Sequence, residues 1–316
     1  MTNAVAGALC VALCAAAAGL TTTADAAPRA RAHGYDVSKR AGWQVWSVRG
    51  GDGAFRLRLR RGTGRSWLSA VRPNGDPFAV DLGTDAAGRT VAVYARCAGG
   101  RCRVAALDPR TAHAWFLPIP PFPAGDRTPQ VSLHRGVVTY AFTVGAWSTI
   151  KRVRADGSRP PRIVLEKSGV VTHLDTGPRG LAYVVVEPEP DVAHASASVL
   201  LRRLGARRSR RVGGAAYGEE GGTEVVSLAF SGRRLVWGLT GSDANLVTFG
   251  QIAWHDLRTG RSGDRRAPGG WLFSAAPDET NPVAPMLLAY APHGNANADA
   301  EPSDREILRR VSGTAR

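Results

Sequence analysis

Short runs in which apolar and polar residues alternate recur along the chain, separated by clusters of Gly, Pro, Asp and Asn. The segment RLRLRR, Arg56 to Arg61, shows the rule. Successive side chains of an extended strand point to opposite faces. Leu57 and Leu59 therefore share one face and Arg56, Arg58 and Arg60 the other. No long stretch carries a clean 3.6-residue apolar period, and 37 Gly and 20 Pro oppose long helices. The pattern predicts an all-β chain with many turns.

The alternating runs themselves repeat. Six segments share one layout: an apolar strand with an aromatic near its middle, a loop, a second strand and a polar turn. They start at Trp43, Arg89, Gly136, Gly180, Arg233 and Met286. Their marker aromatics, Trp46, Tyr94, Tyr140, Tyr183, Trp237 and Tyr290, are spaced 43 to 54 residues apart. Four strands with their turns need roughly 40–45 residues, the size of one propeller blade. Before five of the hairpins lie candidate inner strands: PFAVDLG, PQVSLHR, VVTHLD, EVVSLAF and WLFSAA. Candidate outer strands, such as RIVLEK and RRVGGA, follow the hairpins. The chain ends soon after EILRRVS, so His33 to Lys39 are expected to supply a missing strand and close the ring. Closure removes long unpaired edges. The expectation is a six-bladed β-propeller of four-stranded antiparallel blades, one domain over residues 27–316.

The turns LDPRT (Leu107 to Thr111), RADGS (Arg154 to Ser158) and HDLRTG (His255 to Gly260) resemble the D-x-x-T-G turns of TolB-like propeller repeats. DLGTDAAGRTVAVY is similar to the same repeats, with Asp-x-x-Gly-Arg leading into a strand. The resemblance implies a six-bladed, exported propeller serving as a binding or assembly platform. The chain shows no N-terminal domain of the kind that precedes the propeller in TolB proteins, so the partners of those proteins are not carried over.

The first residues place the chain. An Ala-rich apolar run from Ala4 to Leu20 precedes Ala24-Asp25-Ala26. An apolar core followed by a small-x-small site is the pattern of a secretory signal peptide, here residues 1–26. No Lys or Arg precedes the run, and a retained membrane anchor is the rival reading. Cys10 and Cys14 follow Leu9 and Leu13, which argues against a lipid anchor on either. Removal of the signal leaves Cys97 and Cys102, in YARCAGGRCRV. Two ligands make a poor zinc site, and four intervening residues do not make a C-x-x-C redox motif. Export favours oxidation. The pair is expected to form a disulfide across a hairpin whose loop is AGGR. No stable membrane span is expected after cleavage.

The formal net charge is +15. Lys39, Lys151 and Lys167 are the lysines, and arginine makes up the rest of the 41 basic residues. Compositional bias and solubility account for such a charge, as does attraction to an anionic polymer through an Arg-rich rim. Nucleic acid is not the expected partner, because no recognition motif is present.

Propeller topology sorts the acids. Loops joining the two middle strands emerge at the same end as loops running from an outer strand to the next inner strand. That end is expected to carry Glu187, Glu189, Asp191, Glu219, Glu220, Glu224, Asp243, Asp278, Glu279, Asp299, Glu301 and Asp304 as a possible binding face. Long loops on a rigid scaffold commonly carry function. Solvated loops without function are the plainer reading.

No chemistry-bearing motif stands out. There is no H-E-x-x-H and no G-x-S-x-G. NANADAE (Asn295 to Glu301) alternates oxygen ligands but lacks the glycine and late acid of a calcium loop. His173, Asp175 and Glu224, and likewise Asp81 and Asp85, sit where a channel would be lined; ordinary strand-end and turn roles explain them. The marker aromatics read as inter-blade packing rather than a sugar platform. No catalytic, cofactor-binding or metal residue is assigned. The reading is a monomeric, secreted or extracytoplasmic, non-catalytic binding or scaffold protein with a protein or envelope polymer as partner. The alternative is a propeller hydrolase or lyase acting on a glycan, lactone or peptide. Three or more carboxylates, His or Asn converging at the channel mouth would favour the enzyme; apolar or mixed filling would favour the binder.

Overall fold

The computed structural model describes residues 37–188, 195–218, 221–242, 248–267, 271–280, 286–291 and 309–311. The expected signal peptide lies outside the described residues. The first sheet runs β1 (Val37–Arg40), β2 (Trp43–Arg49), β3 (Phe55–Arg61), β4 (Trp67–Leu68). The second runs β5 (Val80–Thr84), β6 (Thr90–Ala98), β7 (Arg101–Leu107), β8 (Ala114–Phe116), with β9 (Phe122–Pro123) also on β7. The third holds β10 (Gln130–His134), β11 (Val137–Val144), β12 (Trp147–Arg154) and β13 (Arg162–Ser168). Then β14 (Val170–Gly177), β15 (Gly180–Pro188), β16 (Ala195–Arg203) and β17 (Arg210–Gly218) lead into β18 (Gly221–Ser231), β19 (Arg234–Ser242), β20 (Thr248–Asp256) and β21 (Ser262–Arg266) as one eight-stranded sheet. The last sheet is β22 (Trp271–Ala276), β23 (Met286–Ala291) and β24 (Arg309–Val311). Every paired strand is antiparallel to its neighbour.

The described strands thus form five sheets, not six. The difference lies at β17 and β18, which pair through Tyr217↔Gly222 and Gly218↔Gly221 and join what the repeat predicts as two separate sheets. Either side of that junction keeps the four-strand order of the earlier sheets. The strand expected from His33 to Lys39 is described from Val37 onward: β1 supplies the inner strand of the first sheet, paired to β2, while residues 33–36 lie outside the described residues.

The alternation does what the sequence implies. Leu57 and Leu59 are fully buried, and Arg56, Arg58 and Arg60, which alternate with them, are half-buried. Middle strands bury both faces, as β2 does over six consecutive residues, because each sheet packs between two others. Apolar layers mark those contacts. Val45, Leu57 and Leu59 meet Leu82, Tyr94 and Leu107, while Val93 and Val104, on the other face of the second sheet, meet Leu133, Val138 and Tyr140. Ile150 meets Leu174 and Tyr183, Val199 meets Trp237, and Ile252 meets Leu272. Trp46, Tyr94, Tyr140, Tyr183 and Trp237 are at most 4% exposed, the packing role expected of them. Such side chains are worth about 1.5–3 kcal/mol each when fully buried.

Cys97 and Cys102 are a register pair across β6 and β7, with α-carbons 4.0 Å apart, and are joined by a disulfide. The loop is shorter than expected, because Ala98 and Arg101 also pair and leave Gly99-Gly100 as a two-residue turn.

The repeated Asp turns have one geometry in two places. After β20, Asp256 Oδ1 accepts the amides of Arg258 and Thr259, and Gly260 closes the turn onto the Asp256 carbonyl at φ 74°. After β7, Asp108 Oδ1 accepts the amide of Arg110, and Ala112 closes onto the Asp108 carbonyl at φ 57°. Ala112 thus holds a left-handed conformation that suits glycine. Denaturant unfolding is expected to show Ala112→Gly stabilising by about 0.5–1 kcal/mol and Gly260→Ala destabilising by about 1 kcal/mol. Destabilisation by Ala112→Gly, or no loss from Gly260→Ala, would mean that contacts, not φ, decide these turns.

Candidate functional site

Each inner strand has a ladder neighbour on one side only, except that β18 also meets β17 at Gly221 and Gly222. Alternate amides on its other side point toward the axis with no ladder partner. The chain supplies partners from the next inner strand. Ser38 Oγ of β1 accepts the amide of Leu82 (2.9 Å), and Asp81 Oδ2 of β5 accepts that of Leu133 (2.9 Å). Ser132 Oγ of β10 accepts the amide of Thr176 (3.0 Å), and Asp175 Oδ2 of β14 accepts that of Phe230 (2.6 Å). Ser38, Asp81, Ser132 and Asp175 hold one register position, the second residue of a Val-Ser, Val-Asp, Val-Ser, Leu-Asp series. Ala229 occupies that position on β18 and has no acceptor. There the link shifts: Ser227 Oγ accepts the amide of Ala275 (3.0 Å), and Ser231 Oγ donates to the carbonyl of Asp278 (3.3 Å). The last step returns to β1. Arg40 pairs with Glu279, and the amide of Ala41 donates to Thr280 Oγ1 (3.2 Å).

These strands enclose a cavity of about 30 Å³, lined among others by Ser38, Asp81, His173, Asp175, Ala229 and Glu279. That is room for one or two waters. Carboxylate oxygens of Asp81, Asp175 and Glu279 lie within 4.8 Å of one another. Burial raises the pKa of all three. Asp175 is pushed further by Asp81, and Glu279 by both. Arg40 pulls Glu279 the other way, but dehydration and the two aspartates outweigh it, so the Glu279 carboxyl stays well above its ordinary value despite the Arg40 contact. Oxygen sets of this kind are the donors that hard cations use. Here Asp81 and Asp175 are already bonded to backbone amides of the next strand.

His173 donates from Nε2 to the Val225 carbonyl at 3.0 Å, and burial pulls its pKa down to about 4. Glu224 is half-buried on β18, and burial lifts its pKa to about 7. His173 and Asp175 therefore line the axis as the sequence allowed, while Asp85 holds a turn. Its Oδ1 accepts the amides of Ala87 and Arg89.

The acids expected on one end separate. Glu187 is exposed at the β15–β16 connection and pairs with Lys167 at 2.5 Å. Asp278 and Glu279 follow the inner strand β22 directly and so sit at the opposite end, where inner strands turn into middle ones. Asp278 is buried and accepts the Thr280 amide. Glu189, Asp191, Glu219, Glu220, Asp243, Asp299, Glu301 and Asp304 lie outside the described residues, as does the NANADAE loop. Arg40, Ser38 and Ser132 were not singled out. The signal for them is the shared register with Asp81 and Asp175, visible once the inner strands are aligned on their turns.

No family model matches the sequence, and no curated protein matches it. Solved structures do. TolB from Acinetobacter baumannii superposes with a TM-score of 0.56 at 14% identity, over 82% of this chain and 60% of that one. The fold is a TolB-like β-propeller. The chain spans 60% of the length of that TolB chain. A chain of a nidogen/laminin complex gives a TM-score of 0.50 at 10% identity over 87% and 95% of the two chains. Hydrazine synthase from Kuenenia stuttgartiensis gives 0.50 at 11% identity over 82% and 74%. At these identities the likeness is one of fold.

A carboxyl whose pKa is higher folded than unfolded favours folding only while protonated. Its contribution is complete below the ordinary Glu value of 4.5 and is lost as pH rises through the folded value. His173 acts with the opposite sign below its ordinary 6.5, because the fold keeps it neutral. Comparing Glu279→Gln with the parent cancels the histidine. The variant is expected to gain stability relative to the parent as pH rises above 4.5, by up to about 1.4 kcal/mol per pH unit. A pH-independent difference in urea unfolding would show that Glu279 ionises normally.

Proposed function

We propose that the chain is an exported, non-catalytic binding or scaffold propeller whose partner docks at the end carrying the middle-strand hairpins. One observation carries the reading. Trp147 is 62% exposed at the tip of the β11–β12 hairpin, and Val144, its register partner, is 53% exposed. Tryptophan is prominent among residues that dominate binding energy. Lys167 and Glu187 flank it. Ser168 pairs with Trp147 on the next strand, and Lys167 reaches Glu187. The acidic loops expected at this end supply a charged rim for a protein or envelope polymer. Export is supported by the Cys97–Cys102 disulfide and by the apolar run ending at Ala24-Asp25-Ala26.

An enzyme at the channel mouth is the second reading, favoured by the convergence of Asp81, Asp175 and Glu279. The convergence meets the carboxylate count set for it. Against it, the axial cavity of about 30 Å³ is an order of magnitude below the roughly 300–1,000 Å³ of sites for small-molecule ligands. Its two aspartates also serve the strand-to-strand links.

Mature protein recovered from its native host is expected to begin at Ala27; a chain starting at Met1 would contradict export by cleavage. In pull-downs from the envelope fraction, Trp147→Ala is expected to lower partner recovery at least tenfold, about 1.4 kcal/mol. Its unfolding midpoint is expected to stay that of the parent. Undiminished recovery would move the docking surface elsewhere, and loss of recovery in high salt would assign the rim charges a share.

A further inference from the structure

The turn between β16 and β17 reads RRLGARRSR, Arg202 to Arg210. It sits at the end away from Trp147, and beneath it lies a second cavity of about 210 Å³. Leu201, Val212 and His255 are among the residues that line it, together with Arg203, Arg208 and Arg210. The topology explains the gathering. Leu201 and Arg210 are register partners on β16 and β17, and Arg203 lies on the same face as Leu201, two residues on. His255 reaches the cavity from β20, across the junction of the eight-stranded sheet.

The charge in this cavity is one-sided. No described residue that lines it is acidic. The carboxylate beside His255 in sequence, Asp256, pairs with Arg233 at 2.8 Å and holds its own turn. Arg203, Arg208 and Arg210 are exposed, and among the described residues no ion pair reaches them. Arg203 is fixed in part by donating from Nη2 to the Leu257 carbonyl at 3.2 Å. His255 is 2% exposed, with Nδ1 bonded to Ser262 Oγ at 2.8 Å. Burial, then Arg210, then Arg203 hold its imidazole below the ordinary value, while Asp256 opposes them. Arg203, Arg208 and Arg210 thus gather at one cavity.

We propose that this cavity is an anion site for a phosphate or sulfate group. Arginine presents a planar fork of donors that matches an oxyanion two bonds at a time. Three such arginines stand around a largely apolar cavity and offer the group its donors. The volume is below the roughly 300–1,000 Å³ of a drug-sized site, so it suits one charged group rather than a whole ligand. The inference does not rest on the docking surface around Trp147, which the test below leaves untouched.

The test is calorimetric titration of the full chain with inorganic phosphate and with inorganic sulfate, at constant ionic strength in chloride. A third titration uses polyphosphate. The parent is expected to bind the ions saturably at one site. Arg208→Ala/Arg210→Ala is expected to weaken binding about tenfold or more. Arg266→Ala, an exposed arginine on β21 away from the cavity, should leave affinity within about twofold. Polyphosphate binding more tightly per phosphate than the free ion would identify a polymer group as the ligand; equal affinity would identify the free ion. Absence of saturable heat, or equal weakening by Arg266→Ala, would overturn the proposal in favour of diffuse attraction to net charge.

Discussion

An inner strand with one neighbour leaves a row of buried amides facing the axis, and a buried amide without a partner costs about 1–3 kcal/mol. The whole ring depends on how those amides are satisfied. The chain does it with side chains, not with more strands. Ser38, Asp81, Ser132 and Asp175 each accept an amide from the following inner strand, so each sheet fixes the position of the next. Apolar layers supply most of the burial between sheets, but they are tolerant of small slides. The hydroxyl and carboxyl links are directional and set the register of one sheet against another.

The same solution explains why the axis is acidic and yet nearly closed. Two of the acceptors are aspartates, and ring closure adds Glu279 through Arg40. Three carboxyls in a cavity of about 30 Å³ cannot all ionise cheaply, so protons stay on them above the usual range. A structural role is enough to account for the cluster. The proposed interaction surfaces lie away from the axis: the hairpin end with Trp147, and the arginine turn over His255 at the other end. The two carry different chemistry and suit different partners.

Much of the fold was legible because burial on both faces of middle strands forces repeated apolar runs with an aromatic, and those runs can be counted. Candidate inner strands such as VVTHLD and EVVSLAF also matched. Sheet number was not legible. β17 and β18 pair only through Tyr217↔Gly222 and Gly218↔Gly221, and the repeat pattern carries no signal for that pairing. The site was half legible. Asp81, His173 and Asp175 were noticed as channel residues, but Ser38, Ser132 and Arg40 carry no chemical signature and gain meaning only through register. Asp278 and Glu279 misled for a related reason. PDETNPVAP looks like a solvated acidic loop, yet Asp278 is buried just after an inner strand and Glu279 lines the axial cavity.

Native-state hydrogen exchange at the amides of Leu82, Leu133, Thr176 and Phe230 tests the central claim most directly. If the side-chain links hold the ring, these four amides exchange only through global unfolding, with the protection of the buried middle strands. Exchange by local fluctuation, orders of magnitude faster than the amides of β6 and β11, would show that the sheets are held by apolar packing alone.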